Sequence, residues 1–339
     1  MFLIIDGFWA SGKSILKSLL DGHPKLKVSP GQEAVFSAFA RNRNLLKKLS
    51  YKDLNIIRKI LSDSYYYDLE RYHLNNHSTV DWKFNVKLNF YQFESYWTKR
   101  VSKLKNWNTA KIIEIIHTSL IKHFYDITYN KANKSLKVFM EDNNFESHLF
   151  YLENFKNSKL ILISRDFGDV IASMLNRRKK NNIYHTDKFD KISNFDYLVY
   201  KKFLCFKNED NKVISRKLRK KFPSRVYICN FDDLIFNTED EMKKICKFLK
   251  IKFNKILLKN THFGKLTKRN DKKQILGKKI FSKEKYLTAS QIKTLNIIED
   301  SYNYKNLGII PIFSSLVLKL KYMIYKAIIK TKKKLNYNE

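Results

Sequence analysis

The stretch Phe2-Leu3-Ile4-Ile5-Asp6-Gly7-Phe8-Trp9-Ala10-Ser11-Gly12-Lys13-Ser14, continued by Ile15 to Leu20, decides the fold. Phe2 to Ile5 is an apolar run that predicts a buried strand, and residues 15–20 read as a helix. The octet Gly7 to Ser14 is the turn between them and fits G-x-x-x-x-G-K-[ST], a phosphate-binding loop. In such a loop the backbone N–H groups and the positive end of the helix dipole converge on an anion. The distribution of glycine agrees. Of eight glycines and four prolines in 339 residues, Gly7, Gly12, Gly22, Gly31, Pro24 and Pro30 all fall between positions 7 and 31. An ordinary strand–turn–helix connection with a solvated lysine is the bland alternative. The joint agreement of spacing and context outweighs it.

Composition bounds the rest. The length of 339 residues and 44% hydrophobic content suit one large α/β domain with a helical elaboration. The formal net charge of +35 suggests acidic ligands or surfaces. The chain is rich in Lys, Asn, Ile and Tyr together, however, and its lysines are dispersed, which points to compositional drift. A nucleic-acid partner would rest on charge alone and is disfavoured. Cys205, Cys229 and Cys246 are too few and scattered for a disulfide framework or a zinc site. Cys229 and Cys246 read as small core residues. The first core strand starts at residue 2, so no signal peptide is expected. No apolar run is long and uncharged enough to span a bilayer. The expected setting is a reducing cytoplasm.

Further along, Lys27-Val28-Ser29 leads into Pro30-Gly31-Gln32-Glu33 and an apolar stretch from Ala34 to Phe39. Residues 41–135 look helical and irregular, with aromatic clusters at 65–67 and 90–97. A helical core is the favoured reading of those aromatics, and stacking on sugar rings is the rival. The α/β pattern resumes with strands at Leu136 to Met140, Lys159 to Ser164 and Arg225 to Cys229. Helices are predicted near 146–155, from Asp169, and from an acidic first turn at 237–241. Short strands separated by helices imply a parallel sheet with crossover connections. Residues 309–339 form a basic tail that either packs as a last helix or lies on an anionic membrane.

The second informative run is Ser164-Arg165-Asp166-Phe167-Gly168-Asp169-Val170-Ile171-Ala172-Ser173. An arginine leaves a buried strand and a serine follows eight positions later on the next helix. The guanidinium fork and the hydroxyl both suit a phosphate, at the sheet edge where ligands bind. Asp166 and Asp169 suit the helix N-terminus.

Together these two runs resemble the sulfotransferase family, closer to its carbohydrate-type Golgi and bacterial members than to the cytosolic small-molecule type. The first loop of the family reads basic residue, Ser-Gly-Thr-Thr, and here Ala10-Ser11-Gly12-Lys13-Ser14 stands in its place, followed later by His23-Pro24. The family's Arg-Asp-Pro-x-Asp-Val-x-x-Ser is Arg165 to Ser173, with Phe167 for proline. Its strand followed by Tyr-Glu-Asp-Leu resembles Phe231-Asp232-Asp233-Leu234. Thr261-His262-Phe263-Gly264 with Lys268, Arg269 and Asn270 resembles its late nucleotide-closing loop. The resemblance spans about residues 1–40 and 136–300.

It implies a phosphate-loop-type α/β fold, a parallel sheet flanked by helices in a single domain over 1–308, with a helical acceptor-side insertion at about 41–135. It implies transfer of sulfonate from 3′-phosphoadenosine 5′-phosphosulfate (PAPS) to a hydroxyl or amine, with no metal required. Ser11, Gly12, Lys13, Ser14 and Ile15 would hold the 5′-phosphosulfate, and Arg165 and Ser173 the 3′-phosphate, with Lys268 and Arg269 closing over it. Glu33 takes the place of the family's base after the His-Pro turn, against an equal reading as a solvated acid at a helix start. Lys13 stands in for the basic residue that Ala10 replaces. His23 reads as a turn residue. His73 and His77 read as a surface pair without a third metal ligand. The implied acceptor is a glycan or lipid-linked sugar, with peripheral contact of the tail at the inner membrane face. Two rivals stand beside this reading. One is a kinase using ATP and Mg²⁺, with Ser14 on the metal and Met140-Glu141-Asp142 as its carboxylate-bearing strand end. The other is a non-catalytic binder of an anionic polymer or membrane.

Overall fold

In the computed structural model the described residues are 2–7, 11–32, 35–62, 90–125, 136–140, 145–180, 211–262, 265–266 and 282–303. The chain forms two compact units, Met1–Ser164 with Asn211–Lys278, and Arg165–Asp210 with Lys279–Glu339.

The first unit holds a five-stranded sheet of β1 (Phe2–Gly7), β2 (Leu26–Gln32), β3 (Leu136–Met140), β4 (Lys159–Ser164) and β5 (Val226–Asn230). Their order is β2-β3-β1-β4-β5, and every neighbouring pair is parallel. A short antiparallel pair, β6 (Thr261–His262) and β7 (Lys265–Leu266), stands apart from it. The chain leaves β1 toward β2 on one side and leaves β4 toward β5 on the other. The carboxyl ends of β1 and β4 therefore flank a topological switch point, where an open α/β sheet leaves a crevice for ligands.

The described helices of this unit are α1 (Lys13–Leu20), α2 (Val35–Arg41), α3 (Arg43–Leu46), α4 (Leu54–Ser62), α5 (Phe90–Ser102), α6 (Thr109–Tyr125) and α7 (Phe145–Asn154). After an α8 (Phe167–Lys180) that belongs to the second unit come α9 (Asn211–Lys221), α10 (Phe231–Phe236) and α11 (Thr238–Leu249). The second unit also carries α12 (Lys283–Tyr286) and α13 (Ala289–Asn303).

Why the central strands are continuously apolar follows from the layers. Phe2 and Ile4 of β1, with Leu160 and Leu162 of β4, join one core with Phe36, Phe39, Trp97, Ile112 and Tyr151. Leu3 and Ile5, with Ile161 and Ile163, join the opposite core with Leu16, Leu19, Met242 and Ile245. Alternate residues serve opposite faces and both faces are covered, so neither strand can alternate with polar residues. Each such side chain contributes about 2 kcal/mol by leaving water.

One element is added to the sequence reading and one is corrected. Lys27 to Gln32 is part of a strand despite Pro30-Gly31. The strand is the sheet edge and its register shifts between Val28 and Gln32, which is where a proline is tolerated. The helix expected from Asp169 starts two residues earlier, at Phe167. In the insertion, the described stretches are helical, and Phe93 and Trp97 are core residues.

Candidate active site

The loop after β1 is shaped by two glycines. Gly7 pairs in register with Ile163 of β4, and a Cβ on it would lie 2.7 Å from the Ile163 carbonyl oxygen and 2.7 Å from Ser11 Oγ. Gly12 takes φ +105°, and a Cβ there would meet the Phe231 ring at 2.4 Å. Phe231 opens α10 immediately after β5, so the second strand–helix junction buttresses the first loop. Phe8, Trp9 and Ala10 lie outside the described residues.

Helix α1 starts at Lys13, and no side chain of Gly12 caps it. The hydroxyl of Ser11 is buried and has no hydrogen-bond partner among the described residues. Buried polar groups are ordinarily satisfied, so an orphaned hydroxyl beside an uncapped helix start marks a place prepared for an acceptor oxygen. Ser14 is exposed, and Ile15 packs its side chain against the core beneath.

Beneath the loop lies a buried network that sequence reading missed. Asp6 is 1% exposed, at the end of an otherwise apolar strand. Its Oδ1 accepts the Gly7 N–H at 2.7 Å and faces Lys13 Nζ at 3.4 Å. Its Oδ2 lies 2.8 Å from His148 Nε2 on α7, and His148 is itself buried. Lys13 is 6% exposed, so its ammonium sits inside the loop with a carboxylate beside it. The signal available in the sequence was a single one, a charged residue where the strand pattern demands an apolar one.

The other strand-end motif lies in the second unit. Arg165 follows Ser164 directly in the chain and is half-buried, and Ser173 is buried on α8. Asp166 caps α8, its Oδ1 accepting the Asp169 N–H at 2.9 Å. Asp169 is buried, and its Oδ1 accepts the backbone N–H of Lys283 at 2.9 Å. Lys283 Nζ stands 3.6 Å from Asp166 Oδ2. A Cβ on Gly168 would meet the Lys283 side chain at 2.6 Å. Both aspartates therefore anchor the start of α8 to the start of α12, a role for Lys283 that the sequence did not signal.

His23 is a turn residue, buried, with Nε2 donating to the Lys252 carbonyl at 2.9 Å and Nδ1 accepting the Lys25 N–H at 3.2 Å. Burial raises the Tyr227 phenol well above its usual range, reinforced by its 2.8 Å hydrogen bond to Glu241. Burial likewise raises the Cys229 thiol and pushes Cys246 to about 11. These are inert core groups rather than nucleophiles. Glu33, Glu141, Asp142, Lys268, Arg269, Cys205, His73, His77 and the tail from 309 lie outside the described residues. Among the described residues no helix is long and apolar enough to cross a membrane.

A parallel sheet with a glycine loop after its central strand is shared by more than one enzyme class, and comparison with known proteins separates them. The model of the sulfotransferase family matches residues 3–255. The chain belongs to the sulfotransferase family. Membership makes it an enzyme of sulfonate transfer and makes PAPS its co-substrate. Among solved structures it is similar to the sulfotransferase domain of the olefin synthase of Synechococcus PCC 7002, at 15% identity over 95% of this chain and 94% of that one, with a TM-score of 0.47. It is similar at 15% identity to the sulfotransferase domain of the curacin biosynthetic pathway, over 95% of this chain and 97% of that one, with a TM-score of 0.45. The mouse sulfotransferase SULT7A1, crystallised with PAP, matches at 15% identity over 59% of this chain and 74% of its own, with a TM-score of 0.36. No protein with a curated description matches this sulfotransferase.

Proposed function

We propose that this sulfotransferase moves the sulfonate of PAPS to a hydroxyl or amine of a glycan or glycolipid. One observation carries the nucleotide half of the reading: the buried hydroxyl of Ser11 at the uncapped start of α1, unpartnered among the described residues. Leaving such a group unsatisfied costs about 1–3 kcal/mol, which an incoming phosphate oxygen recovers. When bound, PAPS supplies a sulfonate whose bond to the phosphate oxygen breaks as the acceptor oxygen bonds to sulfur.

The residues of the chain then divide the work. Ser11, Gly12, Lys13, Ser14 and Ile15 offer backbone and side-chain donors to the 5′-phosphosulfate, and the glycines let the backbone approach it. Lys13 stabilises the charge that develops on the leaving phosphate. Arg165 and Ser173 hold the 3′-phosphate by a guanidinium fork and a hydroxyl, with Lys268 and Arg269 closing over it. Glu33 takes the acceptor proton. The carbohydrate acceptor rests on the family resemblance and on the helical insertion before β3. The basic tail from 309 to 339 supports a peripheral contact with an anionic membrane at the cytoplasmic face.

A metal-free thermal-shift experiment tests this. Adenosine 3′,5′-bisphosphate at a hundred times its dissociation constant stabilises a bound protein by about 2.7 kcal/mol, a rise of several degrees in Tm. No rise with the bisphosphate, together with a rise for ATP and Mg²⁺, would instead support a kinase. Stabilisation by neither, with binding to DNA or anionic vesicles that falls steeply with salt, would sink both enzyme readings.

A further inference from the structure

We propose that Asp6 and His148 are positioning residues that govern where the Lys13 ammonium goes: parked on Asp6 when the loop is empty, released to the 5′-phosphosulfate when the nucleotide arrives. The inference rests on the reading that the loop holds that group. It adds a buried counter-charge, reaching the loop from α7, to the residues of the loop itself.

The geometry distinguishes a mooring from a permanent ion pair. A buried carboxylate needs partners on both oxygens. Asp6 has short bonds from the Gly7 N–H at 2.7 Å and from His148 at 2.8 Å, whereas Lys13 stands at 3.4 Å. Charge-assisted N–H···O bonds are ordinarily about 2.7–2.9 Å long, so the lysine is the loose member. Asp6 is fixed by the backbone and the histidine, and Lys13 leans on it. A carboxylate only accepts, so the bond to Asp6 puts the His148 proton on Nε2. The other ring nitrogen, Nδ1, is buried without a hydrogen-bond partner among the described residues. His148 is thus turned wholly toward Asp6, and its effect on the loop passes through that carboxylate.

Two opposite effects follow. Asp6 competes with the incoming anion for Lys13 and repels it. Removing the charge in Asp6→Asn ends the pull of the carboxylate on the lysine and its repulsion of the anion, and tightens binding of adenosine 3′,5′-bisphosphate by about fivefold, the scale of one unit charge several ångströms away at a partly screened site. Removing the histidine in His148→Leu takes away one of the two short bonds that hold Asp6. The carboxylate then draws Lys13 in more firmly, and the bisphosphate binds more weakly by a similar factor. His148→Gln restores a side-chain N–H toward Asp6 and recovers most of that loss.

Isothermal titration of the full chain with adenosine 3′,5′-bisphosphate and with adenosine 3′-monophosphate reads all of this. The opposite signs appear with the bisphosphate and vanish with the monophosphate, which lacks the 5′ group. Weaker binding of both ligands in both variants would make the network merely structural and overturn the proposal. Should Asp6→Asn fail to fold, the His148→Leu and His148→Gln pair decides by the same comparison. No affinity of the wild-type chain for the bisphosphate would overturn the underlying phosphosulfate reading itself, a result visible before any variant is made.

Discussion

The loop of residues 7–14 and the run from Arg165 to Ser173 both read as anion motifs in the sequence, yet their polar groups are employed differently. The loop keeps a buried hydroxyl on Ser11 without a partner among the described residues, and holds Lys13 at 3.4 Å from Asp6. In the second run the carboxylates are committed to architecture. Asp166 caps its helix and Asp169 holds the Lys283 backbone. A motif can thus persist because a ligand needs it or because the helix start needs it. Substitutions of the loop's polar side chains should act on ligand affinity, and substitutions of the two aspartates on stability.

The largest effect is expected at Gly12. Its φ of +105° is a backbone region that other residues avoid, and a methyl group would strike the Phe231 ring at 2.4 Å. Gly12→Ala should cost about 3 kcal/mol by overpacking and backbone strain, and should reduce affinity for adenosine 3′,5′-bisphosphate at least about a hundredfold. Adding Phe231→Leu should recover part of the stability, because it removes the clash but not the strain. A double variant no more stable than Gly12→Ala alone would show that the ring is not the obstacle. Next comes Lys13→Ala, which under the proposed function removes a charge-assisted contact to the phosphate and should weaken bisphosphate binding by about 10–100-fold in calorimetry. Unchanged affinity would take the loop out of the binding site.

Both motifs were legible because sterics and burial write them locally. β1 and β4 show as unbroken apolar runs since each face of the sheet is covered. The glycine spacing shows because Gly7 and Gly12 are pressed against Ile163 and Phe231. β2 was obscured because Pro30-Gly31 looks like a turn and is tolerated only on an edge strand. The Asp6–His148 bond was invisible because it joins residues 142 apart through sheet order and the placement of α7. Lys283 was missed for the same reason, its contact to Asp169 spanning 114 positions. Long-range polar partners leave no periodicity. A lone charge in an apolar strand is the only trace that Asp6 left.

The second motif offers an internal control. Arg165→Ala should weaken bisphosphate binding by about tenfold or more, with a smaller effect on Tm in the absence of ligand than on affinity. Asp169→Ala should do the reverse. It leaves the half-buried Lys283 N–H without its Asp169 acceptor and opens a small void, at a cost of about 2 kcal/mol in denaturant unfolding. Equal losses of affinity and stability in both variants would erase the distinction between ligand-held and structure-held residues within this run.

The smallest effect belongs to Asp166, which combines two roles that can be separated. As the cap of α8 it satisfies the Asp169 N–H, and losing a cap costs about 1 kcal/mol. As a partner of Lys283 it makes a 3.6 Å ion pair with its side chain 36% exposed, which is worth little in water. Asparagine caps as well as aspartate but carries no charge. Asp166→Asn should therefore match the wild type in urea unfolding, and Asp166→Ala should fall about 1 kcal/mol below it. Equal destabilisation by the two substitutions would instead make the charge pair with Lys283 the bond that ties α8 to α12. A raised salt concentration would then narrow the gap between wild type and both variants, since an exposed pair is screened and a cap is not.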